Sequence, residues 1–298
     1  MSVERHAPVA RQLYILLPVH NRREITLRFV AALAFQTWRD FRLILIDDGS
    51  TDGTATAVKA LLPTAEVITG NGNWWWAGSL EQGCQYLRRN GVADDDILLL
   101  MNDDVAIGPD FLARAREELA GMTDTLMLAR QIDADTGKEF DYGGGIKVDL
   151  KELRFAAAAS PKEINCLPTR GLFLRWRDMV RAGGFRAHRL PHYLSDYEFT
   201  LRAGKKGLQL RVAQSVSLGV HTAQSGRSLS NLYHSSRVRR FGLIFSRRFK
   251  DNPLTWSIFA GLVASPSRKP YLWGKIWFHF LLTAARCLYL PVKRAEKH

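Results

Sequence analysis

The fold class follows from Leu13-Tyr14-Ile15-Leu16-Leu17-Pro18-Val19, a nearly continuous apolar run that is typical of a parallel strand buried on both faces. Similar runs stand at 42–46 and 97–101. Helical spacing of apolar residues predicts one helix over 25–36 and another that starts within 51–54 and runs through Leu61. This alternation of strands and helices predicts an open, mostly parallel, doubly wound α/β sheet.

Shorter elements are predicted around these strands and helices. A brief strand at 67–68 and a helix from about Leu80 to Arg89 precede the run at 97–101. In the second half of the chain, the pattern predicts a further strand over 169–174 and a helix over 195–206, with Ser195 as the N-cap of that helix.

The composition is that of a folded protein. Hydrophobic residues make up 46% and charged residues 24% of the 298 positions, which excludes a disordered, collagenous or low-complexity chain. Cys84, Cys166 and Cys287 lie far apart, which excludes a disulfide framework or a C-x-x-C metal site and favours a reducing cytoplasm. Residues 1–12 are polar, have no apolar core of a signal peptide, and are predicted to be flexible.

The positive charge is concentrated at one end of the chain. The net charge is +13, and residues 237–298 carry thirteen Lys and Arg against two acidic residues, a net of +11. The chain is therefore predicted to divide into a nearly neutral body, residues 13–236, and a basic tail, residues 237–298.

A basic amphipathic helix is predicted from Tyr271 to Leu290 in that tail. At helical spacing, one face holds Trp273, Ile276, Trp277, Phe280, Leu281, Ala284 and Leu288, and the opposite face holds Lys275, His279, Leu282 and Arg286. Two cations within a single isolated membrane span would be costly, so a helix that lies in the interface of an anionic membrane is favoured over a span. The alternative is a helix that packs on the body or on another subunit.

Acidic pairs follow two of the predicted strands, Asp47-Asp48 and Asp103-Asp104. Ligands of doubly wound sheets bind beyond the carboxyl ends of the strands, where these carboxylates would suit Mg²⁺ or Mn²⁺ together with substrate phosphates. Such a metal stabilises negative charge that develops on a leaving group. The alternative explanation is that a buried strand ends in charges because the chain emerges into water. The sequence has no P-loop and no dinucleotide-binding glycine turn after the first strand.

Several motifs, in order, resemble the signatures of family-2 glycosyltransferases, whose fold is GT-A. The first three are Leu17–Arg22, Ile46–Thr54 and Leu100–Asp104. They are followed by Thr169–Leu174, Gly183–Phe185, Ser195–Gly204 and a segment with His221, Ser225 and Gly226. The resemblance covers about residues 13–240. It implies a GT-A catalytic domain that takes a nucleoside-diphosphate sugar.

The resemblance also implies a donor site. Asp47 and Asp48 would bind the uracil or thymine edge and the ribose, with the turn formed by Pro18, His20 and Asn21 beside the base. Asp103 would lie near the ribose.

Metal and base roles are carried over in the same way. Asp104 matches the metal ligand, His221 a histidine that reaches the metal or the diphosphate, and Asp196 the catalytic base of inverting members. The family's usual acid before that base is Ser195 here, which leaves Glu198 as the alternative base or an acceptor contact. Asp196 as a helix N-terminal acid, and His221 as a core histidine, are the structural alternatives.

Three adjacent tryptophans, Trp74-Trp75-Trp76, follow Asn73. They cannot all face one side, so at least one is predicted to be core, while an exposed one could stack on a base or sugar. Asn73 and Trp76 are therefore candidates for donor binding and Trp75 for acceptor binding. The segment resembles rhamnosyltransferase-like members of the family, as does Tyr233–Arg237, which favours dTDP-rhamnose as the donor.

These observations predict an inverting, metal-dependent glycosyltransferase. It would move a sugar from a UDP- or dTDP-linked donor to a saccharide acceptor, expected to be polyprenyl-linked, in bacterial surface polysaccharide synthesis at the inner face of the cell membrane. A sugar nucleotidyltransferase is the first alternative, but it would need a glycine- and lysine/arginine-rich loop after the first strand. A nucleic-acid-binding protein would explain the basic tail but not the acidic strand ends, so no nucleic-acid partner is expected.

Overall fold

The computed structural model describes residues 12–221, 246 and 249–289, with side chains to residue 285 in the last helix. The strands are β1 (Leu13–Val19), β2 (Phe41–Asp47), β3 (Glu66–Thr69), β4 (Ile97–Leu100), β5 (Val105–Ile107), β6 (Thr125–Asp133), β7 (Ile146–Asp149), β8 (Arg154–Ala157), β9 (Leu172–Arg175) and β10 (Gln209–Val220). The helices are α1 (Arg23–Ala34), α2 (Thr54–Leu61), α3 (Trp75–Arg89), α4 (Phe111–Ala120), α5 (Trp176–Ala182), α6 (Ser195–Lys205), α7 (Pro253–Val263) and α8 (Lys269–Tyr289).

One mixed sheet organises these elements, with the strand order β3-β2-β1-β4-β9-β6-β10-β5. Strands β3, β2, β1 and β4 are parallel, and β6 is parallel to β10. Strand β9 lies antiparallel between β4 and β6, and β5 closes the edge antiparallel to β10. The prediction of a mostly parallel α/β sheet is confirmed.

Apolar cores lie on both faces of the sheet, as the continuous apolar strands require. On one face, Leu17 and Phe29 belong to a core that α1, α2 and α4 cover. On the other face, Leu16, Leu80 and Phe199 belong to a core under α3, α5 and α6. Neighbouring residues of β1 thus point to opposite cores, which fixes the register of the strand.

The first described helix of the predicted tail belongs to the folded body. Phe259 and Val263 of α7 are buried in a third core together with Val148 of β7 and Leu201 of α6. Helix α8 then packs on α7 through Leu272. The predicted boundary at 236/237 lies outside the described residues, as do residues 1–11, Ser225, Gly226, the segment Tyr233–Arg237 and the side chains of Arg286 and Leu288.

Helix α8 presents two apolar faces rather than the single one predicted. Leu272, Phe280 and Ala284 are buried against the protein, whereas a second set of apolar side chains is exposed. The exposed set is Tyr271, Trp273, Trp277, Phe278, Leu281 and Leu282, and we call it the α8 surface. The predicted placement of Phe280 and Ala284 on the membrane face is therefore wrong, because both side chains are buried. Across the described ranges, no helix is long and apolar enough to span a bilayer.

Candidate active site

The ends of β1 and β2 are joined by hydrogen bonds into one rim of the site. The backbone N–H of Asn21 donates to Oγ of Ser50 (2.9 Å), and Oδ1 of Asn21 accepts the N–H of Thr51 (2.8 Å). Nδ1 of His20 lies 2.7 Å from the carbonyl oxygen of Asp48. Asn21 adopts φ 51°, a left-handed conformation that asparagine tolerates better than most residues. The predicted turn therefore forms after β1, whose last residues are Pro18 and Val19, and its place beside a nucleotide base stays a prediction.

Asp48 acts as an anchor within this rim. The side chain is buried, with its Oδ1 accepting the N–H of Gly72 (2.8 Å) and its Oδ2 the N–H groups of Trp74 (2.9 Å) and Trp75 (3.0 Å). A Cβ at Gly70 would lie 2.6 Å from Oδ1 of Asp48, so only glycine fits there. Asp48 thus holds the segment that enters α3, and its contact to the donor stays a prediction. Asp47 is also buried, and its Oδ1 accepts the N–H of Ser50 (2.9 Å).

The three tryptophans take three different positions. Helix α3 begins at Trp75, five residues before the predicted start, because the Asp48 carboxylate accepts the N–H groups at its first turn. Trp74 is half-buried and packs against the core under α3, as Trp76 does, so none of the three is fully buried in the core. The Trp75 ring lies 5.5 Å from the His192 ring, and Nε1 of Trp76 donates to Oγ1 of Thr169 (3.2 Å).

These positions bear on the predicted ligand contacts. Trp75 and Trp76 are half-buried and Asn73 is exposed, so all three have surface that a ligand could reach. Trp76 joins α3 to the segment before β9, and Trp75 joins it to the segment before α6.

The second acidic pair follows β4 and is surrounded by cations. Asp103 is buried, its Oδ2 accepts the hydroxyl of Thr26 (2.8 Å), and burial raises its pKa although Arg22 lowers it. Nη2 of Arg22 lies 3.3 Å from Oδ1 of Asp103 and 3.2 Å from Oδ2 of Asp104. Nε of Arg170 lies 4.0 Å from Oδ1 of Asp104, which is buried and has no hydrogen-bond partner.

That oxygen of Asp104 is what fits a divalent cation. Mg²⁺ and Mn²⁺ accept one or two carboxylates with substrate phosphates in the remaining positions, so a single unpartnered carboxylate oxygen is a suitable protein ligand. Among the described residues, no three His, Cys, Asp or Glu side chains converge to hold a metal by themselves. The donor set therefore fits a metal that arrives with a phosphate-bearing ligand.

His221 lies beside this pair by register but does not point to it. Val220 pairs with Val105, which places the backbone of His221 next to that of Asp104. The side chain is exposed, however, and its Nδ1 lies 3.5 Å from Oδ1 of Asp135. The structure thus places the predicted metal ligand near the site with its ring turned to Asp135, and the alternative of a core histidine is wrong.

Asp196 and Glu198 have contrasting surroundings at the start of α6. Asp196 is half-buried, its Oδ1 accepts the N–H of Tyr197 (2.9 Å), and burial raises its pKa to about 6. Glu198 is buried, and Arg202 donates to its two oxygens at 2.8 and 2.9 Å. Arg202 also donates to the carbonyl of Gly184 (2.8 Å), so Glu198 holds α6 to the turn after α5. This geometry favours Asp196 over Glu198 as the base.

One detail of α6 differs from the prediction. Ser195 is the first helical residue rather than the N-cap, which is Leu194 with φ 65°. The hydroxyl of Ser195 donates to the carbonyl of His192 (2.6 Å).

Sequence reasoning missed three residues of the site: Arg22, Thr26 and Arg170. Arg22 stands within the first motif, where its position directly after Asn21 was a usable signal. Arg170 approaches Asp104 because β9 pairs antiparallel with β4, Leu172 opposite Leu100. That pairing depends on the strand order, which the sequence pattern does not reveal.

A separate cavity of about 470 Å³ lies between α7, α8 and the β7–β8 turn. Phe249, Trp256, Leu272 and Phe280 line it together with Lys275, and none of the predicted donor, metal or base residues does. It is therefore distinct from the acidic edge.

The sequence profile of Glycosyl transferase family 2 matches residues 14–184, more than half of the chain. The chain belongs to glycosyl transferase family 2. The matched region contains both acidic pairs of this glycosyltransferase, together with the tryptophan segment and the glycine turn after α5.

Solved structures share the GT-A fold of this family-2 glycosyltransferase. The mannosyltransferase PcManGT from Pyrobaculum calidifontis, in complex with GDP-Man and Mn²⁺, is 15% identical with a TM-score of 0.53, over 92% of this chain and 75% of that one. TarS 1–349 from S. aureus, in complex with UDP, is 15% identical with a TM-score of 0.56, over 94% and 76%. A search of the curated proteins found no match.

Proposed function

We propose that this glycosyltransferase transfers a sugar from a UDP- or dTDP-linked donor to a saccharide acceptor in one inverting displacement. The observation that carries the proposal is Asp196, a half-buried carboxylate whose pKa is raised to about 6 and which faces no cation at hydrogen-bond distance in the described residues. A base with a pKa just below neutral is ionised at physiological pH and still accepts a proton readily.

The bond changes follow from that assignment. Asp196 accepts the proton of an acceptor hydroxyl, whose oxygen forms the new bond to the anomeric carbon. The bond between that carbon and the diphosphate oxygen breaks, and the electron pair leaves with the nucleoside diphosphate. Asp104 would hold Mg²⁺ or Mn²⁺, which supplies positive charge against the departing diphosphate. Arg22 and Arg170, both next to Asp104, add positive charge at the same edge of the sheet.

The relatives support a nucleotide donor and a metal, since one is a complex with GDP-Man and Mn²⁺ and the other a complex with UDP. The rim formed by Asn21, Asp47 and Ser50, with Trp76 nearby along α3, is where the nucleoside would lie. Among donors, the tryptophan segment supports dTDP-rhamnose as the first to be tested.

The acceptor is proposed to be polyprenyl-linked, at the inner face of the cell membrane. Support comes from the α8 surface, where Phe278 and Leu281 are about 60% exposed, and from the net charge of +11 over residues 237–298. Apolar side chains beside basic ones are what an interfacial helix needs on anionic lipid. Surface polysaccharide synthesis would use such an acceptor.

The test is turnover of a panel of UDP- and dTDP-sugars with Mn²⁺, followed as release of nucleoside diphosphate. We expect at least one donor to be turned over, EDTA to stop the reaction, and Asp104→Asn to reduce it by at least about 10²-fold. Full activity in EDTA would remove the metal from the proposal. Release of pyrophosphate from a nucleoside triphosphate, with no sugar transfer, would identify a nucleotidyltransferase instead.

A further inference from the structure

The acidic pair after β4 is already ion-paired with an arginine side chain, that of Arg22. One nitrogen of Arg22, Nη2, lies within 3.3 Å of both Asp103 and Asp104. The Asp103 carboxylate has a second partner in Thr26, whereas the other oxygen of Asp104 accepts no hydrogen bond and lies 4.0 Å from Nε of Arg170. Arg22 therefore neutralises the carboxylate that a divalent cation would need.

Arg22 is built to leave that position without disturbing the fold. Its backbone carbonyl accepts the N–H of Thr26 (2.9 Å) at the start of α1, and the next N–H, that of Arg23, donates to Asp52 (3.0 Å). Its side chain, by contrast, is 34% exposed and is held by the two carboxylates. The backbone is fixed while the guanidinium can turn into the open edge of the sheet.

We propose that Arg22 is a positioning residue that couples binding of the divalent cation to binding of the donor diphosphate, a role that rests on the proposed function. With no ligand, the guanidinium of Arg22 competes with the cation for Asp104. A guanidinium binds phosphate oxygens through parallel hydrogen bonds, so a diphosphate draws Arg22 away from the acidic pair. Asp104 then becomes available at the moment when the diphosphate is in place.

This coupling predicts that the affinity for the cation depends on whether the nucleotide is bound. Two like charges a few ångströms apart at a partly exposed site repel strongly enough to change an affinity on the order of tenfold or more. The cation should therefore bind the free protein weakly and the nucleotide-bound protein tightly. By linkage, the nucleotide should gain the same factor from the cation.

The experiment measures Mn²⁺ affinity by the EPR signal of free Mn²⁺, first without nucleotide and then with saturating UDP or dTDP. In the wild type we expect either nucleotide to strengthen Mn²⁺ binding by at least about tenfold. In Arg22→Gln we expect Mn²⁺ alone to bind about tenfold more tightly than in the wild type, and the gain from nucleotide to shrink. Arg22→Lys keeps the charge and should stay closer to the wild type.

Arg23→Gln is the matched control, because Arg23 is the adjacent arginine, is exposed and makes no ion pair among the described residues. It should bind Mn²⁺ as the wild type does. The proposal would be overturned if Arg22→Gln bound Mn²⁺ alone no more tightly than the wild type does. It would also be overturned if nucleotide did not change the Mn²⁺ affinity of the wild type. If Arg22→Gln does not fold, Arg22→Met, which also removes the charge and keeps a long side chain, should show the same tighter binding of Mn²⁺ alone. The nucleotide-free comparison needs no donor, so its failure leaves the proposed transfer reaction standing.

Discussion

At the scale of single residues, the raised pKa of Asp196, the proposed base, comes at a cost in stability. Burial disfavours its ionised form, yet no cation among the described residues bonds to it, so the carboxylate stays reactive. Glu198, two residues on, is neutralised by Arg202 and serves packing. The two carboxylates share one helix and differ in role because of their neighbours.

Asp196→Asn is expected to lower the transfer rate by at least about 10²-fold, because the proton acceptor is lost, while the donor binds as before. The same change should raise the melting temperature at pH 8. Asp196 has a pKa of about 6 in the folded protein, above the ordinary 3.8, so the native state binds more protons between these values and stability falls as pH rises through them. Asparagine does not ionise, so the Asp196→Asn variant does not lose this stability as the pH rises.

The control is Glu198→Gln, which breaks a buried pair and should lower the melting temperature while the folded enzyme keeps most of its rate. Melting curves at pH 5 and pH 8, with steady-state rates, separate the two variants. If Asp196→Asn transfers sugar at a near-native rate, the base has been misassigned.

The pH dependence of the rate gives a second prediction for the same residue. Because the base must be ionised, the rate should rise with pH through about 6 and level off above it. Transfer rates measured with one donor between pH 4.5 and 8.5 check this rise and the plateau above it. A rate that is flat down to pH 4.5 would argue against a carboxylate with a raised pKa.

Asp48 gives a prediction about stability. Asp48→Ala leaves three backbone N–H groups without their acceptor, at about 1 kcal/mol each, so we expect the free energy of unfolding to fall by about 3 kcal/mol. Hydrogen exchange at Trp74 and Trp75 should accelerate. Asp40→Ala is the control, since Asp40 is exposed and its side chain makes no hydrogen bond in the described ranges. Equal urea midpoints for the two variants would contradict the anchoring role.

At the scale of elements, α7 and α8 of the predicted tail both pack on the body, and α8 also has an exposed apolar surface. Phe259 and Val263 of α7 complete a core that also contains Leu201 of α6, so deletion of the tail from Asn252 would damage the body. Helix α8 is packed by Leu272 on one side and leaves the α8 surface uncovered on the other. The packed-helix alternative therefore describes one side of α8, and membrane binding by the α8 surface stays a prediction.

Point substitutions on the α8 surface test the membrane proposal without touching the core. Trp277→Ser with Leu281→Ser should weaken binding to vesicles of 3:1 phosphatidylcholine and phosphatidylglycerol by on the order of tenfold or more, because each buried apolar side chain contributes about 1.5–3 kcal/mol. Salt should release the wild type only in part, because screening does not weaken the apolar contribution.

The matched control replaces exposed apolar residues elsewhere, Leu61→Ser with Val180→Ser, which are 42% and 51% exposed. This variant should bind vesicles as the wild type does. Unchanged vesicle binding by the α8 variant would leave packing as the sole role of the helix.

At the scale of the whole molecule, the sequence predicted those strands of the sheet whose burial leaves a recognisable pattern of apolar residues along the chain. Strands β1, β2 and β4 are buried on both faces and therefore read as continuous apolar runs. The 12-residue β10 alternates buried and exposed residues only in part and shifts register between Val212 and Ser217, so it carried no clear pattern. The same limit applied to the site. The carboxylates follow strands that the sequence pattern predicts, whereas Arg170 reaches Asp104 because β9 pairs with β4, and the sequence pattern does not predict that pairing.

The anomeric configuration of the first-formed product tests the central claim most directly, that one base-assisted displacement occurs at the acidic edge. The measurement is ¹H NMR of the sugar transferred to acceptor, or to water before mutarotation, from whichever UDP- or dTDP-sugar is turned over. A single displacement with Asp196 as the base predicts a product whose anomeric configuration is opposite to that of the donor. A product that retains the donor's configuration would contradict the account.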